Sequence, residues 1–341
     1  MTEPREIRPG TVSVVICAWN NWPDLEMTIA SALLQSRQPL EVIVVDNSST
    51  DATSGEVMRR FGSRVRYVRQ SNLGCAGAYN AGFSMASGEF IQFIAGDDVL
   101  APNKIEKQLE IFQAKPELDI VYGDIRMFQT LSGVANWSDF PTQHEDDMLA
   151  ALLLPDKRGA GIDVLGTLFH RRALDKIGRW DESLYCEDND YWLRAACVGC
   201  RFGHCPGSPM GFKRMWPGQK IADVPTTARG LEAVWDKALG YVTREPYRTL
   251  LAERLAEFRF YMAVSRDGIN ISEALAKLAL ARATSPKKIS ALAYAFGYAS
   301  IVLPGGTFFV RSRGLRTVRR FLASLCCFRN PDNETKWVTS E

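Results

Sequence analysis

No disulfide framework can be read from this chain, because its eight cysteines show no paired spacing. That excludes a small cross-linked extracellular scaffold and points to a reducing cytoplasm. Excess charge of one sign is missing too. A net charge of +2 leaves no broad footprint for nucleic acid. The opening MTEPREIRPG has no apolar core, so no signal peptide is expected. There is no internal repeat and no low-complexity tract. Only residues 289–310 raise a membrane question, being uncharged between Lys287-Lys288 and Arg311. Gly297, Pro304, Gly305 and Gly306 interrupt that stretch, so a helix lying on a membrane or packed on the protein body is expected rather than a span. Cys197, Cys200, His204 and Cys205 have a zinc-like local spacing but lack a distant second pair. A Gly-rich, Lys- or Arg-bearing phosphate loop is also absent after the first apolar run, where Cys17-Ala18-Trp19-Asn20 stands instead.

What is present is a chain of 341 residues with ordinary apolar and charged fractions, enough for one large or two smaller domains. Its first half alternates short buried apolar runs with helical patterns. Strands are expected at 12–18, 40–45, 65–68, 90–94 and 120–122. Helices are expected at 24–35 and 76–86, and after Pro102, where Ile105, Leu109 and Phe112 share a face. Repeated βα units of this kind predict an α/β fold with a mostly parallel, Rossmann-like sheet flanked by helices. Residues 135–160 read as a less regular insertion with an acidic patch, Glu145-Asp146-Asp147. A helix at 171–177, another at 190–196 and a short strand at 201–205 follow. Beyond Thr226 the pattern is helical: 231–241, 247–265, 272–283, 288–303 and 314–326. The expected division is a catalytic domain over 1–225 and a helical region over 226–341.

Polar side chains gather where the strands end. Asn20 follows the first strand and Asp46 the second. Asn72 and Gly74 follow the third, and Asp97 and Asp98 the fourth. In such sheets the carboxyl ends of the strands are where ligands bind. About ninety positions after Asp97-Asp98 comes a second acidic cluster, Glu187-Asp188-Asn189-Asp190, opening a helix. Two separate carboxylate clusters suit two tasks. One can hold a divalent cation against a diphosphate, and the other can take a proton from an attacking hydroxyl.

VSVVICAWN, LEVIVVDNSSTDAT, NLGCAGAYNAGFSMASGEFIQFIAGDDVLAPNKIEKQ and GTLFHRRALDKIGRWDESLYCEDNDYWLRA, in that order and spacing, resemble the family 2 inverting glycosyltransferases with the GT-A fold. The resemblance runs from Val12 to about Gly218. It implies that Ala18, Trp19 and Asn20 line a nucleoside pocket and that Asp46 accepts a hydrogen bond from the base. Asn72, Gly74 and Asn80 would shape the ribose and diphosphate pocket. Asp97 would touch the ribose, and Asp97 with Asp98 would bind Mg2+ or Mn2+. Asp188 would be the general base, with Glu187 beside it. His170, Trp180, Arg214 and Trp216 are expected on the acceptor side, where Trp180 and Trp216 could stack on a sugar. Three departures stand out. Ala95 replaces a further Asp, Trp216 stands where many members carry His, and Cys17 replaces a Pro.

Structural alternatives compete at several positions. Asp97-Asp98 could cap the helix after Pro102, and Glu187-Asp188 could complement a helix dipole. Asp46 and Asn47 could be turn formers only. Asp190 and Arg194, spaced i,i+4, read as a structural ion pair. Trp137, Trp180, Trp192 and Trp216 read mostly as core, Trp180 and Trp216 lying nearest the cleft, and Cys186 reads as a small buried hydrophobe. From Ala274 onward, eleven Lys or Arg face three Asp or Glu, giving +8 and leaving −6 for the rest. Arg313, Arg316, Arg319 and Arg320 interleave with Leu315, Val318 and Leu322 as a basic amphipathic helix suited to an anionic membrane surface. The expectation is a cytoplasmic, membrane-peripheral transferase. It would move a sugar from a UDP- or dTDP-linked donor to a glycan or lipid-linked acceptor. The rivals are a catalytically silent nucleotide-sugar-binding or scaffold protein, and a metal-dependent nucleotidyltransferase.

Overall fold

In a computed structural model the structure describes residues 6–128, 147–153, 162–216, 218–265 and 269–302. Trp137, His144, Glu145, Asp146 and the basic residues from Arg311 to Arg320 lie outside the described residues, as does Cys326-Cys327. So does the expected helix at 314–326.

The buried apolar runs become strands of one sheet. These are β1 (Arg8–Ala18), β2 (Glu41–Asp46), β3 (Arg66–Arg69) and β4 (Gly88–Ala95). After them come a two-residue strand β5 (Val99–Leu100), β6 (Ile120–Gly123) and β7 (Ile125–Phe128), then β8 (Thr167–His170), β9 (Phe202–Cys205) and β10 (Gly211–Arg214). The seven-stranded sheet has the order β3-β2-β1-β4-β8-β6-β9. All its pairings are parallel except those of β8, which runs antiparallel to β4 and β6. A mixed α/β fold with a mostly parallel central sheet is what the alternating pattern predicted. The small β5-β10-β7 sheet and β8 are short segments that the apolar runs did not reveal.

Helices α1 (Asp24–Leu33), α2 (Thr53–Arg60), α3 (Gly74–Met85) and α4 (Lys104–Ala114) cross between the early strands. They are followed by α5 (Met148–Leu153), α6 (Arg171–Ile177) and α7 (Glu187–Cys197), and then by α8 (Val224–Ala238), α9 (Tyr247–Ser265), α10 (Ile271–Thr284) and α11 (Ala291–Val302). Small residues let α3 lie close to the sheet. A Cβ on Gly82 would come within 2.1 Å of Val15 Cγ1 on β1. The polar side of α1 holds the chain after β4. Thr28 donates to the Asp98 carbonyl at 2.7 Å, Ser31 Oγ accepts from Leu100 N at 3.1 Å, and Gln35 donates to the Ala101 carbonyl at 2.7 Å.

Leu149, Leu153, Cys186 and Leu193 share a core with Leu231, Val234 and Trp235 of α8 and with Leu251, Leu255 and Phe258 of α9. The helical region therefore packs directly on α7. Asp190 is fully buried and receives Arg194 at 2.7 Å and Lys237 at 2.9 Å, so the expected i,i+4 pair also ties α7 to α8. Among the described residues no helix is long and apolar enough to cross a membrane, and α11 is a helix of 12 residues.

At the far edge Asp119, 1% exposed, accepts from the Arg201 amide, from Arg172 and from Lys176, each at 2.9 Å. Burial alone would raise this carboxyl, but these donors hold it below its ordinary value. Its folded value therefore lies below the unfolded value of about 3.9. The stabilisation is full above the unfolded value and is lost as pH falls through the folded one. Both cations are partly exposed, which weakens the pairs. We predict that Asp119→Ala lowers the unfolding free energy at pH 7 by about 2 kcal/mol. The gap to wild type should narrow below about pH 4. Equal urea midpoints at pH 7 would refute the clamp.

Candidate active site

The carboxyl ends of β1, β2 and β4 and the start of α3 form one rim. Asn20, at φ 47°, closes the turn after β1. Its Oδ1 accepts from Thr50 N at 2.7 Å, and its amide donates to Ser49 Oγ at 2.9 Å. Trp19 beside it is 56% exposed, whereas Ala18 is fully buried. Asp46 is also fully buried. One of its oxygens accepts from the Ser49 amide at 2.9 Å and from the Ser49 hydroxyl at 2.5 Å, and the other from Tyr67. Burial, reinforced by that bond, pushes the Tyr67 phenol up to about 12. The expected role of Asp46 on a base is therefore corrected: both its oxygens organise the loop from inside.

Asn72 Oδ1 accepts from Gly74 N at 3.0 Å, starting α3, and Gly74 takes φ 67°, where a side chain would be strained. Asn47, for which turn forming was the structural alternative, bridges the rim. Its Nδ2 donates to the Gly74 carbonyl and its Oδ1 accepts from Gln70, both at 2.9 Å. Asn80 does not face the rim. Its Nδ2 donates to the Trp180 carbonyl at 2.9 Å and to Glu182 at 2.8 Å, while its Oδ1 accepts from Trp180 N at 2.9 Å. That corrects its diphosphate assignment: it straps the segment before α7 onto α3.

Asp97 and Asp98 do not cap α4, whose N-cap is Asn103. They meet β10 instead. Asp98 is 5% exposed and its Oδ1 accepts from Arg214 N at 3.0 Å. Arg214 Nε donates to the Asp97 carbonyl at 3.1 Å, and its guanidinium lies 4.8 Å over Phe128. Arg214 Nη2 is 3.2 Å from Asp24 Oδ1, a charge contact without hydrogen-bond alignment. Trp216 Nε1 donates to Asp97 Oδ2 at 3.1 Å. Arg214 and Trp216 thus belong to the Asp97-Asp98 pair, which corrects their acceptor-side placement.

Burial, with the charge of Asp97, pushes the Asp98 carboxyl well above its usual range. Lys213 is the residue that sequence reasoning missed. Burial would lower its ammonium, yet Asp163, at 2.6 Å, and Asp98 hold it above its ordinary value, and the charge of Asp188 adds to this. Its only signal in sequence was a lysine in a short segment next to Arg214.

Glu187 and Asp188 open α7, as read. Burial raises the Glu187 carboxyl, with Asp188 adding to it, while Lys220 at 2.8 Å opposes the rise. Lys220 also lies 4.5 Å over the Tyr185 ring. Asp188 is half-buried and its Oδ1 accepts from Asn189 N at 2.8 Å and Asn189 Nδ2 at 3.0 Å. No cation pairs with it directly among the described residues. Lys213 feels both Asp98 and Asp188, and Cys17 at the end of β1 feels both Glu187 and Asp97. Both acidic clusters therefore act electrostatically on the same two side chains, Lys213 and Cys17.

Two expected acceptor-side residues lie elsewhere. Trp180 is 3% exposed and stacks on Tyr191 at 3.7 Å, against Phe93, Phe169 and Tyr79, so it is core. His170 pairs with Phe90, near the start of β4 and away from Asp97. It caps α6 and lies 3.3 Å from Glu89, and burial with Arg172 lowers its pKa. Among the described residues no group of three His, Cys, Asp or Glu could hold a metal, including the Cys197–Cys205 segment. A carboxylate pair nonetheless suits a hard cation that keeps water and phosphate oxygens as its remaining ligands. The raised, buried Asp98 beside Asp97 is the kind of donor set that a cation would relieve.

Residues 13–178 match the family described as Glycosyl transferase family 2. An uncharacterised glycosyltransferase of Rickettsia conorii is 29% identical over 197 residues, covering 56% of this chain and 32% of that protein. The succinoglycan biosynthesis protein ExoO of Rhizobium meliloti is 30% identical over 218 residues, or 61% of each chain. This chain thus spans about a third to three fifths of the length of these two curated relatives. Among solved structures, S. aureus TarS 1-349 in complex with UDP-GlcNAc has a TM-score of 0.63 at 16% identity, covering 91% of this chain and 90% of that one. Mannosyltransferase PcManGT from Pyrobaculum calidifontis, in complex with GDP-Man and Mn2+, has a TM-score of 0.55 at 19% identity, covering 96% and 90%. At such identities the likeness is one of fold, and the fold is GT-A. The match over residues 13–178, just under half of the chain, together with the glycosyltransferase relatives, supports a family 2 glycosyltransferase.

Proposed function

We propose that this protein transfers a sugar, with inversion, from a UDP- or dTDP-linked donor to a hydroxyl of a glycan or lipid-linked acceptor. The reaction would serve surface-polysaccharide or glycolipid assembly. The observation that carries this reading is that a carboxylate pair with a buried member, Asp97-Asp98, and a separate half-buried carboxylate, Asp188, lie close enough for Asp98 and Asp188 both to act on Lys213. The family supports transfer chemistry, and ExoO, a succinoglycan biosynthesis protein, supports the polysaccharide context. UDP-GlcNAc on TarS, and GDP-Man with Mn2+ on PcManGT, support a nucleotide-sugar donor and a divalent cation.

Asp97 and Asp98 would hold Mg2+ or Mn2+, which supplies positive charge to a departing diphosphate. The exposed Trp19 and the turn held by Asn20 would border the nucleoside. Asn72 and Gly74 would present the first turn of α3, whose open amides suit phosphate oxygens. Asp188 would take the proton of the acceptor hydroxyl as its oxygen bonds to the anomeric carbon. The bond from that carbon to the diphosphate breaks, its electrons leave with the nucleotide, and no covalent enzyme intermediate forms. Lys220 would keep neighbouring Glu187 ionised and in place. We propose residues 1–225 as the catalytic domain. Residues 226–341 would be a helical region whose basic end rests on the cytoplasmic face of the membrane.

Calorimetric titration with UDP, dTDP, GDP and CDP, with and without Mn2+, tests the donor site. Mn2+-dependent binding of one of them is expected, and a folded protein that binds none sinks the reading. Asp188→Asn should reduce turnover by at least about a hundredfold while nucleotide affinity stays within twofold. Retained turnover would remove Asp188 as base. Deleting residues 303–341, which leaves the packed helices α8 to α11 whole, should weaken binding to anionic liposomes. Unchanged binding would refute the membrane role of the tail.

A further inference from the structure

The docking of α3 on β1 brings together two thiols that the transfer chemistry leaves unused. Cys17 is the last residue but one of β1 and is buried. Cys75, the second residue of α3, is half-buried. They are 58 residues apart in sequence, yet their Sγ atoms lie 3.6 Å apart, with the Cys17 thiol donating to Cys75. A single amide steadies both segments. Asn47 Nδ2 lies 3.5 Å from Cys17 Sγ and donates to the Gly74 carbonyl at 2.9 Å.

We propose that Cys17 and Cys75 form a thiol–disulfide exchange site that reacts with small-molecule disulfides of the glutathione class and closes to an intramolecular disulfide. Cys75 is the more accessible sulfur and reacts first. Its thiolate attacks one sulfur of the small disulfide, and one small thiolate leaves and takes up a proton. Cys17 then gives up its proton and attacks the Cys75 sulfur, expelling the second small thiolate. Two protein thiols are oxidised to one disulfide, and one small disulfide is reduced to two thiols. The hydrogen bond that Cys17 donates to Cys75, together with burial, pushes the Cys17 thiol well up, so it stays protonated while Cys75 reacts. Closing the 3.6 Å gap to a bond of about 2.05 Å asks for a movement of roughly 1.5 Å. Cys75 directly follows Gly74, so closure would also draw the first turn of α3 against β1 and weaken nucleotide binding. That last consequence rests on the proposed donor site.

The test is to incubate the full chain with oxidised glutathione, alkylate the remaining thiols and map peptides by mass spectrometry. A Cys17–Cys75 cross-linked peptide, lost on adding dithiothreitol, is the expected product. Cys17→Ser should instead accumulate glutathione on Cys75, and Cys75→Ser should leave Cys17 unmodified. The proposal is overturned if folded wild type, checked by circular dichroism, keeps both thiols alkylatable or holds glutathione on Cys75 without closing. Mass reads the cross-link whether or not any nucleotide binds, so failure of the donor reading leaves this result intact. Cross-linked protein should bind the nucleotide at least tenfold more weakly. Unchanged affinity would overturn the link to the cleft.

Discussion

Two like charges side by side at the end of a buried strand are the constraint around which the cleft is arranged. β4 is buried along most of its length, and the chain leaves it through Asp97 and Asp98. Asp98 cannot reach bulk water, so burial and its neighbour both disfavour its charge. The surroundings answer with donors. Strand β10 supplies the Arg214 amide to Asp98, and Trp216 supplies its indole N–H to Asp97. Lys213, on the same strand, adds a positive charge and is itself balanced by Asp163. A strand of four residues thus carries most of the compensation for the pair. That explains why it is paired into the small sheet beside β5, which begins one residue after Asp98.

The opposite wall follows a different logic. Glu187 and Asp188 sit in the first turn of α7, where the helix dipole favours negative charge. What fixes that turn in space is apolar and lies behind it. Trp180 and Tyr191 stack, Phe169 and Trp192 stack, and Asn80 straps the Trp180 segment to α3. The helices α8 and α9 bury the other side of α7. An acidic pair that must keep its distance from another acidic pair is thereby mounted on rigid core rather than on a loop. This explains why a helical region outside the sheet packs so closely on the cleft.

The βα alternation was legible because buried parallel strands are continuous apolar runs, and such runs survive in sequence whatever surrounds them. Helix bounds at Arg171–Ile177 and Tyr247–Ser265 coincide with the pattern. The acidic pairs were legible because polar side chains recur at the end of one strand after another, and a second carboxylate cluster opens a helix. Asp46 and Asn80 were assigned to the cleft by resemblance, and Trp180, mostly a core candidate, was given a cleft role for its nearness to it; each proves to be turned inward. A position in a motif says where the backbone passes, whereas burial is decided by which side chains from elsewhere arrive first. Tyr67 takes Asp46, the Trp180 backbone takes Asn80, and Tyr191 takes Trp180.

Sequence by itself determined the βα alternation of the first half, the two acidic clusters and their residence at element ends. All of these depend on local periodicity and on residue chemistry. Tertiary structure alone decided that β8 would run antiparallel between β4 and β6, carrying His170 away from the cleft. It also brought Lys213, Arg214 and Trp216 across to Asp97 and Asp98, and Cys17 to Cys75. The physical reason is separation: Arg214 meets Asp98 across 116 residues and Cys17 meets Cys75 across 58. No local pattern encodes such a meeting, because it exists only once the sheet has closed its core.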